Sequence, residues 1–157
     1  MTLKSLITAI EALAHQTPGV GTVIVNDYYR INELPNIEYA CVGVQQTQHE
    51  VISPNVVRYG LHMVYADRLT ADKSNELQVQ SDGMLILGNI INALTTLRDV
   101  EVVDNISFET FTQRFADECA VVVATFEVES TYDLGECFEG NHGFVYDFDF
   151  AFNDSKL

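Results

Sequence analysis

Two carboxylates near the end of the chain are spaced in a way that could bind a cation. Asp147 and Asp149 alternate with Phe148 and Phe150, and carboxylate oxygens are ligands that Ca²⁺ accepts in proteins. An EF-hand loop would also need a glycine at its sixth position and a glutamate at its twelfth, and the sequence supplies neither. The alternation favours the other interpretation, a strand with a solvated acidic face and a buried aromatic face.

Other arrangements that carry chemistry are missing from the sequence. There is no Gly-rich phosphate loop, no GxSxG and no HExxH, and the Gly19-Val20-Gly21 sequence follows a predicted helix rather than a strand. A lone histidine is more often a surface or hydrogen-bonded residue than a base or a ligand. We therefore predict that the protein is not an enzyme and has no catalytic, metal or cofactor site. Its four histidines lie far apart in the sequence: His15, His49, His62 and His142.

The charge balance constrains the partners of the protein. The chain has 23 acidic and 8 basic residues, for a net charge of −15. Such a surface repels nucleic acid and anionic membranes, because both are bound through Lys and Arg. The excess charge serves solubility alone, or it lets DNA pass nearby without specific binding. In either case we expect no membrane partner.

Three cysteines, an odd number without metal-ligand spacing, favour free thiols in a reducing compartment. Cys41 and Cys119 lie in apolar runs and are expected in the core, whereas Cys137 lies among polar residues. The N-terminal segment is expected to be no signal peptide, because its apolar residues are periodic and Glu11 interrupts them.

Hydrophobic periodicity predicts an α+β fold, with two helices packed on one face of a mainly antiparallel sheet. The predicted order is helix, hairpin, helix, hairpin, followed by an extended tail. Residues 1–131 form the predicted domain, and residues 132–157 form an acidic, aromatic extension packed on the same domain or on a neighbouring subunit. The first helix covers residues 3–16, and the second runs to about residue 96 unless Gly83 interrupts it. Predicted strands cover residues 23–25, 37–46, 56–69, 106–114, 119–130 and 144–152.

Three segments are candidates for contact with other proteins, since aromatic residues and Arg are preferred anchors of interfaces. The same aromatic residues are equally ordinary in a core. The segment 45–49 is predicted to be the uncharged tip of a long hairpin, which either reaches a neighbouring subunit or is an idle loop. The candidate contact residues are Tyr28, Tyr29, Arg30, Gln46, Gln48, His49, Phe144, Tyr146, Phe148 and Phe150.

One segment carries a resemblance to known proteins. YADRLTADKSNELQVQSDGMLILGNIINAL, residues 65–94, resembles small structural proteins of tailed bacteriophages, especially those of gut Bacteroidetes phages. The element order is similar to that of tail-terminator and tail-completion proteins. The resemblance implies a protomer that forms a ring at the head-to-tail joint, coaxial with the portal. It implies contacts with portal, connector or tail proteins, and DNA moving through an acidic lumen.

The sequence thus supports a first hypothesis of a virion neck or tail ring protein, present in the host cytoplasm before assembly. A second hypothesis is an acidic monomeric interaction protein, such as a DNA mimic or an inhibitor of a host enzyme. A third, a small enzyme or ligand-binding domain, ranks last because no nucleophile, base and orienting group occur together.

Overall fold

The structure, a computed structural model, describes residues 1–34, 36–114 and 118–131, with residues 104, 113 and 114 described by their backbone alone. Two α-helices and a 3-10 helix accompany a sheet of five strands in this part of the chain. The architecture is α+β, as the periodicity predicts. The elements are α1 (Leu3–Gln16), β1 (Thr22–Val25), the 3-10 helix (Tyr28–Asn32), β2 (Cys41–Ser53), β3 (Val56–Arg68), α2 (Glu76–Leu94), β4 (Val100–Arg114) and β5 (Cys119–Thr131).

The strand order is β1-β2-β3-β5-β4, so β3 is central and β4 lies at one margin. All neighbouring strands are antiparallel except β1 and β2, which run parallel. The antiparallel pairs form the two predicted hairpins, β2–β3 and β4–β5. The sheet therefore has two hairpins side by side, and β1 extends the margin next to β2.

Helix α1 begins and ends where its sequence predicts. The side chain of Thr2 accepts a hydrogen bond from the Ser5 N–H at 3.2 Å and caps the first turn. Beyond the C-cap, Thr17, the chain passes through Pro18 to Gly19, which adopts φ +85°. The buried face of α1 consists of Leu6, Ile10 and Ala14.

Helix α2 runs without interruption through Gly83, which answers the question that the sequence left open. This glycine is buried where the helix crosses the sheet. A Cβ at position 83 would lie 2.6 Å from Cδ1 of Tyr65 and 2.8 Å from Cγ2 of Val122. The missing side chain thus allows α2 to approach β3 and β5 closely.

The two faces of the sheet carry different cores. The helix-covered face holds the larger cluster, including Leu61, Met63 and Phe126, each 0–1% exposed. The opposite face, which we call the outer face, is apolar only at one end, where the 3-10 helix covers it. The residues buried there are Ile24, Tyr28, Ile31, Cys41, Val64, Ala66, Cys119, Val121 and Val123.

Two strand predictions need correction. The segment 45–49 is not a hairpin tip, because it lies within β2, and the turn occurs at Pro54 and Asn55. Pairing with β3 keeps these polar residues extended, which their composition alone does not indicate. Strand β4 begins at Val100 rather than at residue 106, because residues 100–103 pair with β5. The predicted strand 144–152 and the whole extension 132–157 lie outside the described residues.

The two glycines of α2 give a matched test of the helix–sheet contact. We expect Gly83→Ala to lower the free energy of unfolding by about 1–3 kcal/mol, because the new methyl group overpacks against Tyr65 and Val122. Gly88→Ala is the control, since a Cβ there meets no atom within 4 Å. It should stabilise the helix by about 0.5–1 kcal/mol. Chemical denaturation of both variants measures the difference, and equal effects would contradict the close contact.

Candidate assembly surfaces

The far half of β2 is an open strand edge. Strand β1 pairs only with Cys41–Val44, so beyond Val44 no described strand lies beside β2 on that side. All side chains from Gln46 to Ile52 are exposed, and we call these residues the distal β2 segment. Near its end Val51 is 66% exposed and Ile52 is 42% exposed. An edge of this kind presents backbone hydrogen-bonding groups beside apolar side chains, which is a template for pairing with another chain.

A β-bulge shapes this segment. Gln46 is opposite Leu61 and His49 is opposite Tyr59, so Thr47 and Gln48 together face Gly60. A Cβ on residue 60 would lie 2.5 Å from Oγ1 of Thr47. Glycine at this position therefore allows the bulged residues Thr47 and Gln48 to lie close to β3. The bulge therefore determines which residues of β3 lie opposite Gln46 and His49.

The predicted contact residues Gln46, Gln48 and His49 are exposed on this edge. The imidazole of His49 packs edge-on against the ring of Tyr59, with centroids 5.3 Å apart. Val51 and Ile52 were not among the predicted contact residues. The signal that could have found them is a pair of adjacent apolar residues at the end of a polar run, immediately before a turn.

The outer face carries a row of carboxylates across four strands. Glu50 is opposite Arg58, Arg58 is opposite Glu129, and Glu129 is opposite Glu101. Nε of Arg58 donates to Oε1 of Glu129 at 3.0 Å, and Glu127 lies 3.7 Å away. The hydrogen bond that Arg58 donates to Glu129 holds the pKa of the guanidinium above its ordinary value. Arg58 thus faces three carboxylates, those of Glu50, Glu127 and Glu129, and Glu101 adds a fourth to this acidic part of the outer face.

The Tyr28-Tyr29-Arg30 candidate divides between core and surface. Tyr28 is only 8% exposed and packs over Gly43, so it is a core residue rather than a contact residue. Its hydroxyl donates to that of Tyr29 at 3.2 Å. Tyr29 is 49% exposed and Arg30 is also exposed. These two side chains belong to the 3-10 helix that follows β1.

A second apolar surface lies between α2 and the marginal strand β4. Leu77 is 78% exposed and Met84 is 39% exposed on the helix, and Ile106 and Phe108 are 40% and 37% exposed on the strand. We call these four residues the α2–β4 strip. Sequence periodicity placed Leu77 and Met84 among the apolar positions of a helix but could not show that β4 leaves them uncovered.

The remaining candidate residues, Phe144, Tyr146, Phe148 and Phe150, lie outside the described part of the chain.

Metal ions in proteins are held by clustered ligands such as His, Cys, Asp and Glu side chains. The described residues contain no group of three or more of these side chains that could hold a metal ion. The three histidines in this part, His15, His49 and His62, lie on α1, β2 and β3. Neither α-helix is long and apolar enough to cross a membrane.

Comparison with known proteins gives no relative from which a function could be transferred. No protein-family model matches the chain, and no curated protein is significantly similar to it in sequence.

Burial of Cys41 makes the stability of the protein depend on pH. Desolvation, with smaller contributions from Cys119 and Asp67, raises the pKa of the Cys41 thiol from 9.0 to about 12. Above pH 9 the unfolded chain loses this proton and the folded chain keeps it. The contribution of this thiol to the free energy of unfolding is therefore fully present below pH 9. As the pH rises from 9 toward 12, the free energy of unfolding falls by about 1.4 kcal/mol per pH unit.

We expect Cys41→Ala to flatten the decline of unfolding free energy between pH 9 and 11, measured by urea denaturation. Val64→Ala, in the same buried cluster, removes apolar volume without removing a titrating group and should keep the original slope. Equal slopes in all three proteins would show that the thiol is not shielded.

Proposed function

We propose that the protein is a structural virion protein of a tailed bacteriophage that forms a homo-oligomeric ring at the head-to-tail neck or in the tail. The observation that carries the proposal is the distal β2 segment, which joins an open strand edge to exposed Val51 and Ile52. Strand edges bind other chains through backbone hydrogen bonds. Apolar side chains beside the edge add affinity, because binding buries them away from water. The resemblance of residues 65–94 to phage structural proteins supports the phage assignment.

The position of this segment suits a ring. It lies at one margin of the sheet, beside β3 and away from β4. If it docks on a different surface of the next copy, the contact is heterologous, and a heterologous contact generates a ring when the rotation closes.

The outer face supports a role around DNA. Both α-helices pack on the opposite face and leave the carboxylates around Arg58 uncovered, so these carboxylates could line a lumen. Such a surface repels phosphates, and DNA would pass without specific binding. The ring would dock to portal, connector or tail proteins in the virion and would be found in the host cytoplasm before assembly.

The distal β2 segment can be tested with a matched pair of lysine substitutions. We expect the full-length protein to form a discrete species several times 17.6 kDa in light scattering across a concentration series. Ile52→Lys should shift it to the monomer, because the substitution places a charge on the docking edge. Leu85→Lys is the control, since Leu85 is 63% exposed on α2 and lies outside the proposed interface.

A protein that stays monomeric at every concentration and binds no portal or tail protein would overturn the ring assignment. Loss of the oligomer in Leu85→Lys but not in Ile52→Lys would place the interface elsewhere on the molecule.

The carboxylate row favours a second candidate function, an acidic monomeric interaction protein that mimics DNA or inhibits a host enzyme. Carboxylates on neighbouring strands could occupy a basic site made for phosphates. We expect such a protein to capture a host DNA-binding protein, with capture competed by duplex DNA. Glu101→Gln together with Glu129→Gln should weaken that binding at least ~10-fold. Binding that duplex DNA does not displace would exclude mimicry.

A further inference from the structure

The margin of the sheet at β4 is long and unpaired among the described residues. Strand β4 extends from Val100 to Arg114 and pairs with β5 on one side only. Alternate backbone N–H and C=O groups of an edge strand therefore point away from the sheet. Register shifts between Val103 and Ser107 and between Phe111 and Arg114 interrupt β4, so its regular edge stretches are residues 100–103 and 107–111. Proteins usually cover such stretches, because they are templates for unwanted pairing.

Apolar side chains line the helix side of this edge. At 100° per residue, Leu77, Met84, Gly88 and Thr95 fall within about 20° of one line along α2. Gly88 and Thr95 border a groove of about 270 Å³, which β4 closes with Val102 and Ile106. The line through Leu77 and Met84 therefore faces the β4 side. The α2–β4 strip flanks the open edge and lacks a cover among the described residues.

The end of the described chain lies at this edge. Ser130 of β5 is opposite Val100, the first residue of β4, and the Thr131 N–H donates to the Asp99 carbonyl at 3.2 Å. Residues 132–143 can span up to about 40 Å when extended. Strand β4 is about 50 Å long. Residues 144–152 can therefore reach the middle of β4 from Thr131.

Residues 144–152, FVYDFDFAF, have the alternation that this margin requires. In an extended conformation, Asp147 and Asp149 would lie on one side of this segment. The other side would carry Phe144, Tyr146, Phe148, Phe150 and Phe152. On β4 the two sides also differ: Ile106 and Phe108 lie on the helix side, whereas Glu101, Ser107 and Glu109 lie on the outer face. A slip by one residue would place the carboxylates on the strip, so the pattern selects which side of the added strand meets the strip.

We propose that residues 144–152 bind as an additional strand on the free edge of β4 in the same chain. The aromatic side chains cover the α2–β4 strip, and Asp147 and Asp149 face solvent on the outer face. The segment of the same chain is favoured over that of another copy, because a short tether gives an effective concentration of about 1 mM or more. This inference does not depend on the ring, since it concerns the opposite margin from the distal β2 segment.

Amide hydrogen exchange in the full-length protein tests the pairing. We expect the β4 amides that point away from β5 to exchange about 100-fold more slowly than in an unprotected strand. Phe148→Pro should abolish this protection, because proline removes a donor and interrupts the added strand. Asn141→Pro is the control, since it places the same residue in the segment that precedes the strand and should leave β4 protected.

Two outcomes would overturn the proposal. Outward-pointing β4 amides that exchange equally fast in the unmodified protein and in Phe148→Pro would show that the edge is open. Protection that disappears on dilution to the monomer would show that another copy supplies the covering strand.

Discussion

The continuous pairing of β3 with β5 is the interaction on which the rest of the structure depends. It runs without a register shift from Val56 opposite Thr131 to Arg68 opposite Cys119. Every residue of β3 therefore has a fixed neighbour, and the two hairpins are held side by side. Tyr65 and Val122, which face each other in this pairing, form the surface on which Gly83 of α2 rests. The position of the second helix follows from this register.

The same pairing gives the two faces of the sheet separate roles. Alternation along β3 sends Leu61 and Met63 toward the helices and sends Arg58 and Val64 to the outer face. At one end the 3-10 helix covers the outer face with apolar contacts. Toward the other end, Arg58 is surrounded by carboxylates and the face is polar. The ion pairs of Arg58 are only partly buried, and ion pairs near the surface add little stability, so the acidic face depends on the opposite core for its rigidity.

The sequence predicts the parts of the fold whose side chains are periodic. Helix α1 and strand β3 have clear apolar faces, and their observed bounds differ from the predicted ones by a residue at most. The distal β2 segment has no such face, because neither side of it is buried, and polar side chains there suggested a hairpin tip. Only the pairing with β3, a contact between distant residues, keeps it extended. Tyr28 shows the converse, since an aromatic residue in a polar stretch does not reveal that Gly43 provides a space beneath it.

Two irregularities in β2 lie between the turn at Pro54 and Asn55 and the body of the sheet. They are the bulge at Thr47 and Gln48 and the register shift between Val51 and Ser53. Each irregularity absorbs a change in strand length locally, so residues added at the turn need not alter the pairing from Gln46 inward. Gly60 secures that boundary, because any other residue there would collide with Thr47. The turn is therefore a natural insertion point, where a foreign peptide could be displayed while the sheet behind it keeps its register.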